Sequence, residues 1–153
     1  MRLSTGLGKM AGTMTKTEAA PASAEETRFV EMVFPEQANH YGTLFAGNAL
    51  SLMGKAAFVA ATRQARCAMV MKFSDKVDFR APIRVGQIVE LTAKVERVGR
   101  SSLTVVVDVV AEELISGLRR LAVRGSFDMV AVDAAGKAIP IPAASPPPAI
   151  QEV

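Results

Sequence analysis

The sequence predicts an α+β domain in which one long helix lies against one antiparallel sheet. Three observations carry that expectation. A Pro-free, Ala-rich segment from Asn48 to about Arg66 presents apolar residues over a broad face. Beyond it the period changes to two through four long segments. The turns between those segments are short, so the strands they join run antiparallel, and a single helix must then cover one face of their sheet.

Each element has a local reason. Thr27–Phe34 alternates loosely and predicts a first strand, which Pro35 ends because proline cannot donate to a ladder. Gln37–Gly47 predicts a loop, and Asn48 is the expected helix N-cap, since its side chain can accept an orphan backbone N–H. Leu50, Met53, Ala57, Phe58, Ala60 and Ala61 form the expected apolar face. Ala68–Phe79 follows as a strand and is broken by Arg80-Ala81-Pro82. Val85-Gly86 turns the chain into Ile88–Val98, where Val89, Leu91, Ala93 and Val95 alternate with Glu90, Thr92, Lys94 and Glu96. Gly99-Arg100-Ser101 leads to Leu103–Val110, and Ser116-Gly117 leads to the last strand, Arg119–Val132. In that strand Leu121, Val123, Gly125 and Phe127 are expected on one face. A sheet covered by one helix leaves edges in need of protection, so an oligomer is expected.

The folded body is residues 26–139. Residues 1–25 read as a disordered tail containing the Ala/Pro/Ser linker Ala19–Ala24. Arg2, Lys9 and Lys16 precede the first acid, Glu18, a pattern also found in organellar transit peptides, but the preferred reading is a tail or an upstream start codon. Residues 140–153 read as a Pro-rich tail, because prolines at 140, 142, 146, 147 and 148 suit neither helix nor sheet.

Composition excludes several classes. The 153 residues are half hydrophobic, which fits one globular domain with a proper core. A net charge of +3, one Tyr and no Trp give no basic, aromatic stripe for nucleic acid. No apolar run reaches the roughly 20 residues that span a bilayer. Cys67 is the only cysteine, so no intramolecular disulfide forms, and a reducing, cytoplasmic location is expected. One His and one Cys are too few for a His/Cys metal site, and no metal or cofactor is expected.

The chemistry concentrates in Asn39-His40-Tyr41-Gly42-Thr43-Leu44-Phe45-Ala46-Gly47-Asn48, which runs directly into the helix. A helix start aims backbone N–H groups at whatever lies before it and attracts anions and polarised carbonyl oxygens. This segment, the order of elements, Val77-Asp78-Phe79-Arg80-Ala81-Pro82, Val98-Gly99-Arg100-Ser101-Ser102 and Met129-Val130-Ala131-Val132-Asp133 together resemble the hotdog-fold acyl-CoA thioesterases, both the broad-specificity bacterial hexamers and the brain-type cytosolic acyl-CoA hydrolases. The resemblance implies a long central helix wrapped by a curved antiparallel sheet, a homo-oligomer between dimer and hexamer, and hydrolysis of fatty acyl-CoA to fatty acid and coenzyme A. It implies a site at a subunit interface, in which Asn39 and the helix start at Gly47 polarise the thioester. An acid within the neighbouring subunit's helix would act as base or nucleophile.

That acid follows a Met in the family, and here Met53 is followed by Gly54. Gly54 therefore occupies the position of the family's Asp, and no other acid lies in Asn48–Arg66. Two alternatives follow: an acyl-CoA-binding protein without turnover, or a subunit of a mixed oligomer whose partner supplies the acid. A hotdog dehydratase is a weaker alternative.

Other candidates have ordinary readings beside the functional ones. His40 adjoins Asn39 and is a candidate substrate contact or substitute base, against the simpler reading of an exposed loop histidine. Asp75 and Asp78 lie three apart on a strand, so they are expected on opposite faces, one of them toward the site. Arg80, Arg100, Ser101 and Ser102, with Arg119, Arg120 and Arg124, are candidates for the coenzyme A phosphates, because arginine binds phosphate in a bidentate manner. Lys55, Ser51 and Cys67 read as a solvated charge, a helix hydroxyl and a small hydrophobe.

Overall fold

The computed structural model describes residues 26–143 and 146–153, so the expected tail 1–25 lies outside the described residues. Strand β1 (Thr27–Met32) is followed by a 3-10 turn, Pro35–Gln37, and then by helix α1 (Ala46–Ala65). Strands β2 (Met69–Phe79), β3 (Ile88–Val98), β4 (Ser102–Glu112) and β5 (Arg119–Ala131) follow. They form one sheet in the order β1-β3-β4-β5-β2, with every pairing antiparallel.

Most element boundaries lie within two residues of those expected, and the helix start is corrected. Phe45, not Asn48, is the N-cap, in an extended conformation with no side-chain cap. Asn48 sits inside the first turn, and its Nδ2 donates to the Gln37 carbonyl at 2.8 Å. It ties the helix to the preceding loop instead of capping it. At the other end Arg66 takes the left-handed conformation, and its N–H donates to the Thr62 carbonyl at 2.8 Å, which satisfies an orphan carbonyl.

The helix buries Ala49, Leu52, Met53, Ala56, Ala57, Ala60, Ala61 and Ala65 against the sheet. These positions recur at three- and four-residue spacing, so they share a face. Leu50 and Phe58, expected in that face, remain exposed. Small alanines let the helix axis come close to the strands, and Gly125 extends this closeness. A Cβ at Gly125 would lie 3.0 Å from Met53 Cε, 3.1 Å from Val77 Cγ2 and 3.2 Å from Phe127 Cε2.

The sheet supplies Val89, Leu91 and Ala93 from β3 and Leu103, Val105, Val107, Val109 and Ala111 from β4. The alternation of β4 is unbroken along its length, as period-two geometry requires. In β5 it is not. Ala122 and Val123 are both buried, while Leu121 is only partly so. A register shift places Val123 opposite Val109 but Leu121 opposite Val110, which makes Ala122 an extra, bulged residue. The Ala122 carbonyl is used by the N–H groups of Arg80 and Ala81. The bulge thus anchors the segment that follows β2.

A second bulge overturns the reading of the two aspartates. Asp75 pairs with Ser126 and Asp78 with Arg124, so one extra residue lies between them, and Lys76 has φ 49°. Ser126 and Arg124 are two apart and share a face, so Asp75 and Asp78 share it too. That face also carries Asp108, bound to Arg124, and points away from α1.

The Pro-rich end is not wholly a tail. Ile139 and Ile141 pack against the core, and the Ile141 N–H donates to the Arg100 carbonyl at 2.8 Å.

Candidate active site

The loop between the 3-10 turn and α1 is a tight, doubly clamped turn. The Asn39 N–H donates to the Thr43 carbonyl at 2.8 Å, and Gly42, with φ +75°, donates to the Asn39 carbonyl at 3.1 Å. Glycine suits that left-handed position because it has no Cβ. The Leu44 N–H donates to the Ile83 carbonyl and the Val85 N–H to the Gly42 carbonyl, so the turn is fastened to the segment before β3.

Asn39 is fixed by its own side chain. Its Oδ1 accepts from the Tyr41 N–H at 3.0 Å, the Thr43 N–H at 3.2 Å and the Thr43 hydroxyl at 3.1 Å. Two backbone donors settle which end of the amide is oxygen. Nδ2 is left with no hydrogen-bond acceptor among the described residues. Asn39 is therefore a positioned donor, held by an Asx-type turn. Thr43, which holds it, is a candidate positioning residue that the sequence reading did not include. The Asn-x-x-x-Thr spacing was its available signal.

The first helical N–H groups are the second element. Asn48 and Ala49 both donate to the Phe45 carbonyl, at 2.9 and 3.1 Å. Ala46 and Gly47 have no acceptor among the described residues, as expected for a helix start. Gly47 lies under the Phe45 ring: an added Cβ would be 2.8 Å from Phe45 Cε1. A recess of about 210 Å³ beside this end is lined by Leu44, Ala46, Ala49, Phe79, Arg80 and Ile83 among others. Ala46 and Arg80 thus face one recess at the helix start, and the Asn39 loop is fastened to the Ile83–Val85 segment beside it.

The remaining candidates do not meet them in one chain. Gly54 is two turns beyond Gly47 along α1, roughly 10 Å at about 1.5 Å per residue. It borders an apolar recess of about 480 Å³ with Phe29, Phe58, Val59, Met71 and Met129. Arg100, Ser101 and Ser102 lie at the opposite end. There the Ser101 carbonyl accepts from Ala131, beside the Ala68 carbonyl that accepts from Val132.

Several charged candidates are already engaged. Arg124 makes a bidentate pair with Asp108 at 2.6 and 2.8 Å, and this pairing raises its pKa. Arg119 bridges Glu90 and Glu112, whose hydrogen bonds likewise raise its pKa. Arg80 Nε binds Asp78 at 2.8 Å. His40 is exposed, its ring 3.9 Å from that of Tyr41 between centroids. Cys67 is partly buried, with Sγ 3.8 Å from Met69 Sδ. Among the described residues there is no group of acids, His and Cys that would hold a metal ion, and no helix is long and apolar enough to cross a membrane.

One long helix packed against a five-stranded antiparallel sheet, entered through a tightly hydrogen-bonded loop, defines a hotdog domain. The chain belongs to the Thioesterase superfamily, whose family profile matches residues 41–117. Among its relatives is the Bacillus subtilis protein called uncharacterized acyl-CoA thioester hydrolase YkhA, 37% identical over 129 residues that cover 79% of this chain and 75% of that one. An apo-hexameric acyl-CoA thioesterase superposes with a TM-score of 0.75 at 36% identity, covering 80% of this chain and 79% of that one. A Staphylococcus aureus acyl-CoA hydrolase, solved with butyryl coenzyme A, coenzyme A and coenzyme A disulfide, gives 0.73 at 30% identity and covers 81% and 76%. Alanine variants of that enzyme have been characterised at an Asn, an Asp and a Thr.

Proposed function

We propose that this protein is an acyl-CoA thioesterase, which splits acyl-CoA with water into a carboxylic acid and coenzyme A. The observation that carries this reading is the state of Asn39. Three donors hold its oxygen, and its Nδ2 has no acceptor among the described residues, on the loop that leads into the open N–H groups of Ala46 and Gly47. Donors held in place before charge develops are what a thioester carbonyl needs as it becomes an oxyanion. Family membership supplies the substrate class.

The working unit is a homo-oligomer, of a size between dimer and hexamer. Val70, Met71, Phe73 and Phe79 are exposed on the edge strand β2, beside exposed Phe58 and Leu50 on α1. An apolar edge of that length is a liability in a free monomer. Arg80, Arg100, Ser101, Ser102 and His40 are the proposed contacts to coenzyme A, gathered from two copies, and the proposed location is the cytoplasm. A folded domain spanning 26–139 carries the activity. No nucleic acid, metal or cofactor takes part in this reading.

A second reading is favoured by Gly54: acyl-CoA is held and not cleaved. Thiol release from a panel of short to long acyl-CoAs separates the two. Turnover above buffer supports hydrolysis. Saturable binding without turnover supports the second reading, and absence of both defeats the substrate class.

A further inference from the structure

The Asn, Asp and Thr altered in the Staphylococcus aureus enzyme follow one another at the same spacings as Asn39, Gly54 and Met71 here. Matched by that spacing, two of the three positions differ, with a hydrogen for an acid and a thioether for a hydroxyl. The two positions adjoin in space. A Cβ on Gly54 would lie 3.4 Å from Met71 Cε, and that is the nearest atom it would meet. Met71 faces α1 because it pairs with Met129, which is fully buried on the helix side of β5. The recess beside them is walled by Phe29, Phe58, Val59 and Met129, and Lys55 is its one ionisable lining residue among the described residues.

We infer that Gly54 and Met71 act as one unit, an apolar wall where the relative has an acid and a hydroxyl. The thioester in this protein is therefore attacked by solvent hydroxide without a protein base. The inference rests on the thioesterase reading above. Hydroxide oxygen forms a bond to the carbonyl carbon, and the C=O electron pair moves to oxygen. There Asn39 Nδ2 and the helix-start N–H groups stabilise it. The C–O⁻ pair then reforms the carbonyl as the C–S bond breaks, and sulfur leaves with its electron pair as the coenzyme A thiolate. Solvent carries the proton of the new carboxylic acid to that thiolate, so one hydroxide is consumed per thioester. Such a site retains the share of catalysis that oxyanion donors and binding provide alone, and lacks the share a base adds.

The ionisable groups around the two half-sites are few. His40 and Tyr41 adjoin Asn39, Arg80 is paired with Asp78, Lys55 flanks Gly54, and Asp75 shares the outer face with Asp78. His40 is the one imidazole among them and so the side chain to test as a base.

The test is the pH dependence of thiol release by the purified protein. It is run for the unmodified chain, His40→Gln, Gly54→Asp, Met71→Thr and the double variant Gly54→Asp/Met71→Thr. Binding of a non-hydrolysable alkyl-coenzyme A thioether is measured in parallel. The unmodified chain should gain about tenfold per pH unit from roughly pH 6 to 9, with no plateau, as a reaction first order in hydroxide does. The double variant should gain about 10²-fold at neutral pH and acquire a plateau, the lower end of what a positioned base contributes. Each single variant should gain far less. A plateau in the unmodified chain overturns the inference, and its loss in His40→Gln would identify the base. A double variant that binds the thioether yet gains nothing also overturns it. Failure of every protein to bind the thioether instead removes the acyl-CoA reading itself.

Discussion

Met71 Cε lies 3.4 Å from the point where a side chain on Gly54 would begin, an ordinary van der Waals contact. A helix residue and an edge-strand residue seventeen positions apart in the chain thus share one small volume. Neither can be understood alone. An acid restored at 54 would face a thioether, and a hydroxyl restored at 71 would face nothing to orient.

Asn39 offers a way to separate catalysis from folding. Asn39→Asp keeps an acceptor for the Tyr41 and Thr43 donors and removes only the Nδ2 donor. Thermal stability should change little, while kcat falls by about 10²-fold, the usual cost of one oxyanion donor. Thr43→Val should disturb the same loop through loss of its hydroxyl bond and lower kcat less. A differential melt with steady-state kinetics on both variants checks this. An Asn39→Asp protein of full activity would remove Asn39 from the mechanism.

Gly47→Ala tests the helix start. The added methyl must displace the Phe45 ring, which is exposed and free to turn. Helix propensity favours Ala by roughly 0.5–1 kcal/mol, so the variant should be as stable as the parent or more so. Activity should nevertheless fall, because the methyl and the displaced ring occupy the approach to the Gly47 N–H. Equal activity in a stabilised protein would show that this N–H is not used.

Gly125→Ala should destabilise through crowding. Its Cβ would be within 3.2 Å of Met53, Val77 and Phe127 at once, all of them packed between helix and sheet. Overpacking of this kind costs about 1–3 kcal/mol. Met53→Ala is the opposite change at the same contact and should cost about 2–5 kcal/mol, since Met53 is fully buried. Denaturant unfolding measures both, and the double variant should be more stable than the sum of the two losses predicts.

Glu26 gives a pH-dependent outcome. Its hydrogen bond from Lys94, and next that from Arg28, hold its carboxyl below the usual glutamate range. The folded state thus releases the proton more readily than the unfolded state. Its stabilising contribution is full above the unfolded value of about 4.3 and is lost as pH falls through the lower folded value. Glu26→Gln should therefore lower the melting temperature at neutral pH and leave it unchanged in strong acid. High salt should shrink the difference, because the pair is partly open to solvent. A difference that persists in acid would point to packing instead of charge.

Much of the architecture was legible in the chain because it depends on local period and local stops. The long helix shows as an Ala-rich segment without Pro, and β3 and β4 as clean alternation between short turns. The acyl-CoA class was legible by resemblance from several segments taken in order, from Asn39 to Asp133, and the loss of the acid from Gly54 following Met53. Tertiary structure decided the rest. The bulges at Ala122 and near Lys76 shift the faces of β5 and β2, and so place Asp75 and Asp78 away from the helix. Phe45 starts the helix where Asn48 was expected, because the Asn48 amide is drawn to the Gln37 carbonyl. Met71 became a partner of Gly54 only once the register of β2 against β5 was fixed. Alternation and propensity are written into consecutive residues, whereas one inserted residue in a ladder changes which side chains meet, and nothing local to either strand announces it.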